Sequence, residues 1–318
     1  MIYILFVIGF VLLIVGANIL VDGASSIGRR AKLSPLVIGF TIVALGTSLP
    51  ELLINVFASV RGQTELAITN VLGSNIINTL FIIGAAALLF PIIPSRRSMF
   101  TLVPISLLSA GMLMLFANTH LFTAQNAPVI DTIEGIIFLL FIVLYLLYSY
   151  FFSRKESDLI PDTIRIYSPL RSILMVLTGV LGLYFGGSWV VDGAVVIAAN
   201  FGMSDALVGI TIIAVATSLP ELVTSVIAAM KKNSGIALGN ALGSNIFNVF
   251  LVLGVSAVIR PLPFNSTLNI DLWVMLLANL VVALFVIVGK GNKITRSEGG
   301  LMMLIYLAYI IWLVLNNM

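Results

Sequence analysis

GFTIVALGTSLPEL at Gly39–Leu52 recurs 170 residues later as GITIIAVATSLPEL at Gly209–Leu222. The same offset pairs NVLGSNIIN (Asn70–Asn78) with NALGSNIFN (Asn240–Asn248). Between these patches Gly39–Gly84 aligns with Gly209–Gly254 without a gap, and 21 of 46 positions are identical. Apolar segments resemble one another through composition alone. Here, however, the shared residues are the polar ones, glycine and proline, which composition does not supply. Val21-Asp22-Gly23-Ala24 matches Val191-Asp192-Gly193-Ala194 at the same offset, so the repeat begins early in each half. The chain reads as an internal duplication.

Composition says where such a chain can live. Of 318 residues, 60% are hydrophobic and 9% charged, with a mean hydropathy of +1.17. Soluble domains carry about 25% charged residues, so this chain cannot cover a water-facing surface. A cytoplasmic enzyme, a nucleic-acid-binding domain and a disordered chain are excluded together. Each membrane helix needs about 20 apolar residues, and apolar runs between polar breaks predict ten spans. They fall near 2–21, 34–60, 66–90, 99–117, 132–152, 170–191, 204–230, 236–259, 269–289 and 299–315. The first run lacks a basic leader and meets Asp22 instead of a small-residue cleavage site, so it reads as a retained helix. The expected fold class is an all-α integral membrane protein. There is no cysteine and one histidine, His120, expected in a solvated loop.

Ten spans place the loops alternately on two faces. One face collects Arg29, Arg30, Lys32, Arg96, Arg97, Arg154, Lys155, Arg165, Arg171, Lys231, Lys232, Lys290, Lys293 and Arg296, leaving only Arg61 and Arg260 for the other. Basic loops stay cytoplasmic, so both termini are expected outside. The predicted domains are a first five-helix repeat at 1–152 with its motif at 39–84, a cytoplasmic linker at 153–169, and a second repeat at 170–318 with its motif at 209–254. Five is odd, so the second half sits upside down relative to the first. Inverted repeats are a hallmark of secondary transporters, whose site lies near the midplane between repeats.

Glu51 and Glu221 fall deep inside the second and seventh spans. Ionisable groups there are costly and face a cavity or an ion path. Pro50 and Pro220 lack an N–H and clash with the carbonyls of Gly46 and Ala216. A kink there frees carbonyls, which hydrocarbon tolerates only beside a cavity or where something else satisfies them. Thr47 with Glu51 and Thr217 with Glu221 share a helix face at i, i+4. Ser74 with Asn78 and Ser244 with Asn248 repeat that spacing, and Gly73 and Gly243 are expected to let helix backbones approach closely. Bringing the four segments together yields two carboxylates, two amide oxygens and up to six hydroxyls. Oxygen ligands suit Ca²⁺, Mg²⁺, Mn²⁺ and alkali ions, and an irregular dry cage favours Ca²⁺ or Na⁺ over Mg²⁺. Two glutamates balance one divalent ion, so three Na⁺ against one Ca²⁺ would move net charge. Two carboxylates in one site also repel, so proton competition is expected.

These motifs resemble the two alpha-repeats of the cation/calcium exchanger superfamily, and the resemblance covers essentially the whole chain. Gly-Thr-Ser-Leu-Pro-Glu and Gly-Ser-Asn-x-x-Asn occur in each half, with Ala216 replacing the first glycine of the second. The resemblance implies metal ligands Thr47, Ser48, Glu51, Ser74 and Asn78 with Thr217, Ser218, Glu221, Ser244 and Asn248, and adds the carbonyls of Ala44 and Ala214 as weaker candidates. It implies that the first and sixth helices slide as a gating pair, with Asp22 and Asp192 near their ends, where interfacial anchoring is the plainer role. Proton-coupled members read Gly-Asn-x-x-Glu where this chain reads Thr-Ser-Leu-Pro-Glu, which favours sodium coupling. Asparagine instead of aspartate at 248 argues for a potassium-independent mechanism. Similarity to prokaryotic exchangers implies a plasma (inner) membrane location.

The leading expectation is therefore a Na⁺/Ca²⁺ antiporter working by alternating access, with no enzymatic activity and no cofactor beyond the transported Ca²⁺ and Na⁺, with H⁺ as a further competitor. Its partners are the lipid bilayer and those ions, with no nucleic acid and no obligate protein partner. H⁺-coupled exchange of Ca²⁺ or another divalent cation is the runner-up. A channel would lack counter-ion dependence, and an enzyme lacks a histidine beside Ser48 or Ser218, a zinc motif or a nucleotide loop.

Overall fold

The computed structural model describes residues 2–93, 96–122, 127–153, 165–200, 214–287 and 293–317. Its elements are α1 (Ile2–Ala31), α2 (Pro35–Thr47), α3 (Leu49–Val60), α4 (Thr64–Leu89), α5 (Arg96–Ala117), β1 (Val129–Ile130) and α6 (Thr132–Ser153). After these come α7 (Pro169–Asn200), α8 (Ala214–Thr217), α9 (Leu219–Met230), α10 (Ser234–Ile259), β2 (Leu262–Pro263), α11 (Asn269–Ile287) and α12 (Arg296–Asn317). Among the described residues eight helices are long and apolar enough to cross a membrane, nine if the bent pair α2–α3 is one crossing. The protein is an all-helical membrane protein. The expected seventh span, 204–230, is described only from Ala214 onward, as α8 and α9.

Exposure follows the two solvents. Leucine, isoleucine and phenylalanine face outward along α1, α6, α7 and α12, while α4 and α10 are the most enclosed spans. Outward apolar side chains are ordinary for a surface that meets lipid instead of water. The buried centre is instead rich in Ser, Thr and Asn, carried by α3, α4, α9 and α10.

Glycine sets how closely the helices cross. A Cβ on Gly239 of α10 would lie 2.6 Å from the Leu36 carbonyl oxygen of α2, and one on Gly243 would lie 2.6 Å from the Phe40 Cα. The close approach expected at Gly243 is thus present. At Gly73 a Cβ would meet nothing within 4 Å among the described residues. Gly73 corresponds to Gly243, so its matching partner segment would be near 206–214, which lies almost wholly outside the described residues.

Cross-links between the halves come in matched pairs. Gly84 of α4 meets Gly299 of α12, and Gly254 of α10 meets Gly135 of α6. Ile92 and Ile294 exchange backbone hydrogen bonds just beyond the first contact. Beyond the second, β1 pairs antiparallel with β2, Val129 opposite Pro263 and Ile130 opposite Leu262. The helix that follows each link opens with reciprocal capping. Asp131 Oδ1 accepts from the Glu134 amide at 3.0 Å, and Glu134 Oε2 accepts from the Asp131 amide at 2.9 Å. Thr295 and Glu298 do the same for α12. Each satisfies two amide donors that hydrocarbon would leave bare.

The first helix outruns its predicted span, continuing from residue 21 to Ala31, and α7 continues from 191 to Asn200. Asp22 and Asp192 therefore lie within helices. Beyond residue 21 the α1 sequence is Asp-Gly-Ala-Ser-Ser-Ile-Gly-Arg-Arg-Ala, more polar than the span before it. Its end is tied down by Ser26, which bonds Ser172 at 2.8 Å and accepts from the Tyr167 amide at 2.9 Å. Arg30 reaches the Tyr167 carbonyl at 2.6 Å. The linker predicted at 153–169 is described only from 165 onward, apart from Ser153 at the end of α6. His120, expected in solvent, is half-buried in a tight turn, with Nδ1 shielded and unpartnered.

Candidate cation site

The Thr-Ser-Leu-Pro-Glu segments break their helices in the same way. Ser48 sits at φ −87°, ψ 4° between α2 and α3, which meet at 45°. Ser218 sits at φ −93°, ψ 5° between α8 and α9. The cause is proline at the next position but one. Without its N–H the ladder stops, and the chain restarts as a new helix whose first turn carries Glu51 or Glu221. Each carboxylate therefore sits beside a helix start, in a gap where backbone groups lack helical partners.

The facing elements bring a feature the sequence reading missed. Ile77–Ile82 of α4 and Asn248–Leu253 of α10 are π-helical, in each case at the second asparagine of Gly-Ser-Asn-x-x-Asn. Such widened turns recur at functional sites because they unpair carbonyls and re-aim side chains. α3 packs on the π turn of α10, and α9 on the π turn of α4. Each glutamate-bearing helix thus meets the asparagine-bearing helix of the other half, as well as its own.

Glu51, Glu221, Thr47, Asn78, Ser244 and Asn248 are wholly enclosed, and Ser48, Ser74 and Ser218 nearly so, while Thr217 is half-buried. Ser48 donates to Glu221 Oε1 at 3.2 Å and Ser244 reaches the same oxygen at 3.5 Å, joining α2–α3, α9 and α10 at one carboxylate. The remaining polar atoms are left over. Both Glu51 oxygens, Glu221 Oε2, Ser74 Oγ, Ser218 Oγ, both amide atoms of Asn78 and Asn248 Oδ1 are buried without a hydrogen-bond partner. Orphaned buried polar atoms are rare and costly. These lie on helices that pack against one another and are mostly oxygens, a composition that suits a hard cation. Among the described residues no three His, Cys, Asp or Glu side chains come together; the enclosed charged groups here are the two carboxylates, with hydroxyls and amides around them.

Around it lies a layer of amides the sequence reading quoted but gave no role. Asn240 accepts from Thr47 at 3.1 Å and donates to the Glu221 carbonyl at 3.2 Å and to Ser225 at 2.9 Å. Its repeat partner Asn70 donates to Asn55 at 2.7 Å, and 55 is the repeat counterpart of 225. Asn75, Asn245, Thr79 and Asn248 form a second network between α4 and α10. The signal was present: Asn70/Asn240 and Asn75/Asn245 are identical in both halves.

A membrane-embedded helical fold that encloses two carboxylates among buried hydroxyl and amide groups is suited to a secondary transporter. Comparison narrows this. The family profile described as sodium/calcium exchanger protein matches residues 1–151 and 171–315. Inner membrane protein YrbG of Escherichia coli is 33% identical, covering 97% of this chain and 96% of that protein. Sodium/calcium exchanger MaX1 of Methanosarcina acetivorans is 31% identical over 97% of each. A solved structure of the sodium-calcium exchanger NCX_Mj superposes with a TM-score of 0.83 at 30% identity, covering 97% of both chains. The chain belongs to the sodium/calcium exchanger family.

Proposed function

We propose that the protein exchanges Na⁺ for Ca²⁺ by alternating access, independently of K⁺, with Thr47, Ser48, Glu51, Ser74, Asn78, Thr217, Ser218, Glu221, Ser244 and Asn248 as the ion ligands. The observation that carries this reading is the cluster of buried, unpartnered polar atoms around two enclosed glutamates. Family membership supplies the ion pair, and Asn248 in place of an acidic residue supports K⁺ independence. Purified protein in liposomes should take up Ca²⁺ when an outward Na⁺ gradient is imposed. A K⁺ gradient should add nothing. Uptake driven by a pH gradient in the absence of Na⁺ would favour the H⁺-coupled alternative.

The architecture proposed is ten spans in two inverted five-helix repeats, 1–152 and 170–318, joined by the linker 153–169, in the plasma (inner) membrane with both termini outside. The matched helix breaks, π turns and glycine contacts support the repeat, and the distribution of basic residues supports the orientation. A membrane-impermeant maleimide added to intact cells should label Arg61→Cys and leave Lys293→Cys unlabelled. The reverse pattern would invert the topology.

α1 and α7 are the moving pair in this reading. They run antiparallel along a seam of glycines seven residues apart, with Gly9 against Gly186 and Gly16 against Gly179. A Cβ on Gly16 would lie 2.9 Å from the Gly179 carbonyl oxygen. A seam of such small residues offers little side-chain interlock against sliding.

A further inference from the structure

An amide side chain serves a cation only through its oxygen, and its NH₂ group, nearly the same size, repels one. Asn248 therefore has a productive and an unproductive orientation, related by a half-turn of the amide, and something must choose between them. In the structure its Nδ2 donates to Asn75 Oδ1 at 3.1 Å, leaving Oδ1 buried and unpartnered. Asn75 is itself constrained. It is 1% exposed, and its Nδ2 is committed to the Asn245 carbonyl at 3.3 Å and to the Met275 sulfur of α11 at 3.5 Å. With its donor engaged, Asn75 can present only its oxygen to Asn248. A reversed Asn248 would set oxygen against oxygen there and bring its NH₂ to the orphaned atom's place. The relay runs from the Asn245 carbonyl through Asn75 to Asn248, crossing from one half to the other and back. Its mirror is not made, since both amide atoms of Asn78 and the Asn245 Oδ1 lack partners.

We propose that Asn75 is a positioning residue: by accepting from the Asn248 amide it holds the Asn248 carbonyl oxygen toward the transported cation, so that a residue of the first half sets the affinity of a ligand in the second. This rests on the assignment of Asn248 as a ligand. The test is Na⁺-gradient-driven Ca²⁺ uptake in proteoliposomes, measuring half-saturating Ca²⁺ and maximal rate for wild type, Asn75→Leu, Asn248→Asp, Asn248→Leu and the Asn75→Leu/Asn248→Asp double variant. A carboxylate has two equivalent oxygens and needs no orienting donor. Asn75→Leu should therefore raise half-saturating Ca²⁺ about tenfold in the wild-type background, in the range for loss of a ligand's supporting hydrogen bond, with maximal rate within about twofold. In the Asn248→Asp background the same substitution should change it less than about twofold. An equal loss in both backgrounds would mean that Asn75 merely packs, and no loss in either would remove its role; both overturn the proposal. If Asn248→Leu leaves Ca²⁺ affinity unchanged, the ligand assignment itself fails, a distinguishable result. Asn75→Ser, whose hydroxyl stops short of Asn248, carries the same expectations where the leucine variant is not recovered folded.

Discussion

Glu51→Gln and Glu221→Gln should each abolish Na⁺-driven Ca²⁺ uptake while yielding folded protein. Glutamine keeps the shape and one carbonyl oxygen but removes the charge. Unit charges 4 Å apart at an effective dielectric of 20 attract by about 4 kcal/mol, so losing one carboxylate costs roughly a thousandfold in affinity for a monovalent ion by the same arithmetic, and more for Ca²⁺. Folding should not suffer. Both Glu51 oxygens are enclosed without a partner, and a buried uncompensated charge destabilises the empty protein. Glu51→Gln should therefore melt at or above the wild-type temperature in ion-free detergent solution, and Ca²⁺ should no longer raise that temperature. Normal exchange by either variant would show that the cage lies elsewhere.

Covalently joining α1 to α9 should arrest exchange as completely. Lys231 Nζ lies 2.6 Å from Asp22 Oδ1, linking the end of α9, the helix of Glu221, to α1. The repeat counterparts of this pair, Arg61 and Asp192, are exposed and form no ion pair among the described residues. The link is thus made at one end of the molecule and absent at the matching place. An exposed pair contributes at most about 1 kcal/mol, too little to hold a transporter in one state, and so it can break in each cycle. A covalent tie cannot. Because the chain has no cysteine, Asp22→Cys with Lys231→Cys introduces the only two thiols. A short, cleavable bifunctional thiol reagent should stop Na⁺-driven Ca²⁺ uptake, and cleaving the bridge should restore it. Undiminished flux in fully bridged protein would mean that α1 and α9 stay together throughout the cycle.

The duplication explains why so much was legible. Thr47-Ser48-Leu49-Pro50-Glu51 and its copy announce a helix break and a buried acid locally, because proline acts on its own turn and a glutamate among apolar neighbours is costly wherever the chain goes. Membrane class followed from composition for a similar reason, since lipid tests every residue of a span. The π turns at Ile77–Ile82 and Asn248–Leu253 were not legible. A one-residue widening of a helix is set by what packs across it, here α9 and α3.

Asparagine shows the division most clearly. Three asparagines of the first half recur 170 residues later, as Asn70/Asn240, Asn75/Asn245 and Asn78/Asn248. From residue type alone each is equally able to hold an ion or a neighbour. Periodicity along one chain places a residue on a helix face, and the identity of its side chain names the chemistry available there. Which atoms of an amide are consumed by neighbours and which remain depends on distances between segments up to 200 residues apart. Those distances arise only when α4, α10 and α11 pack together, and they leave Asn248 its oxygen and commit Asn75 to holding it.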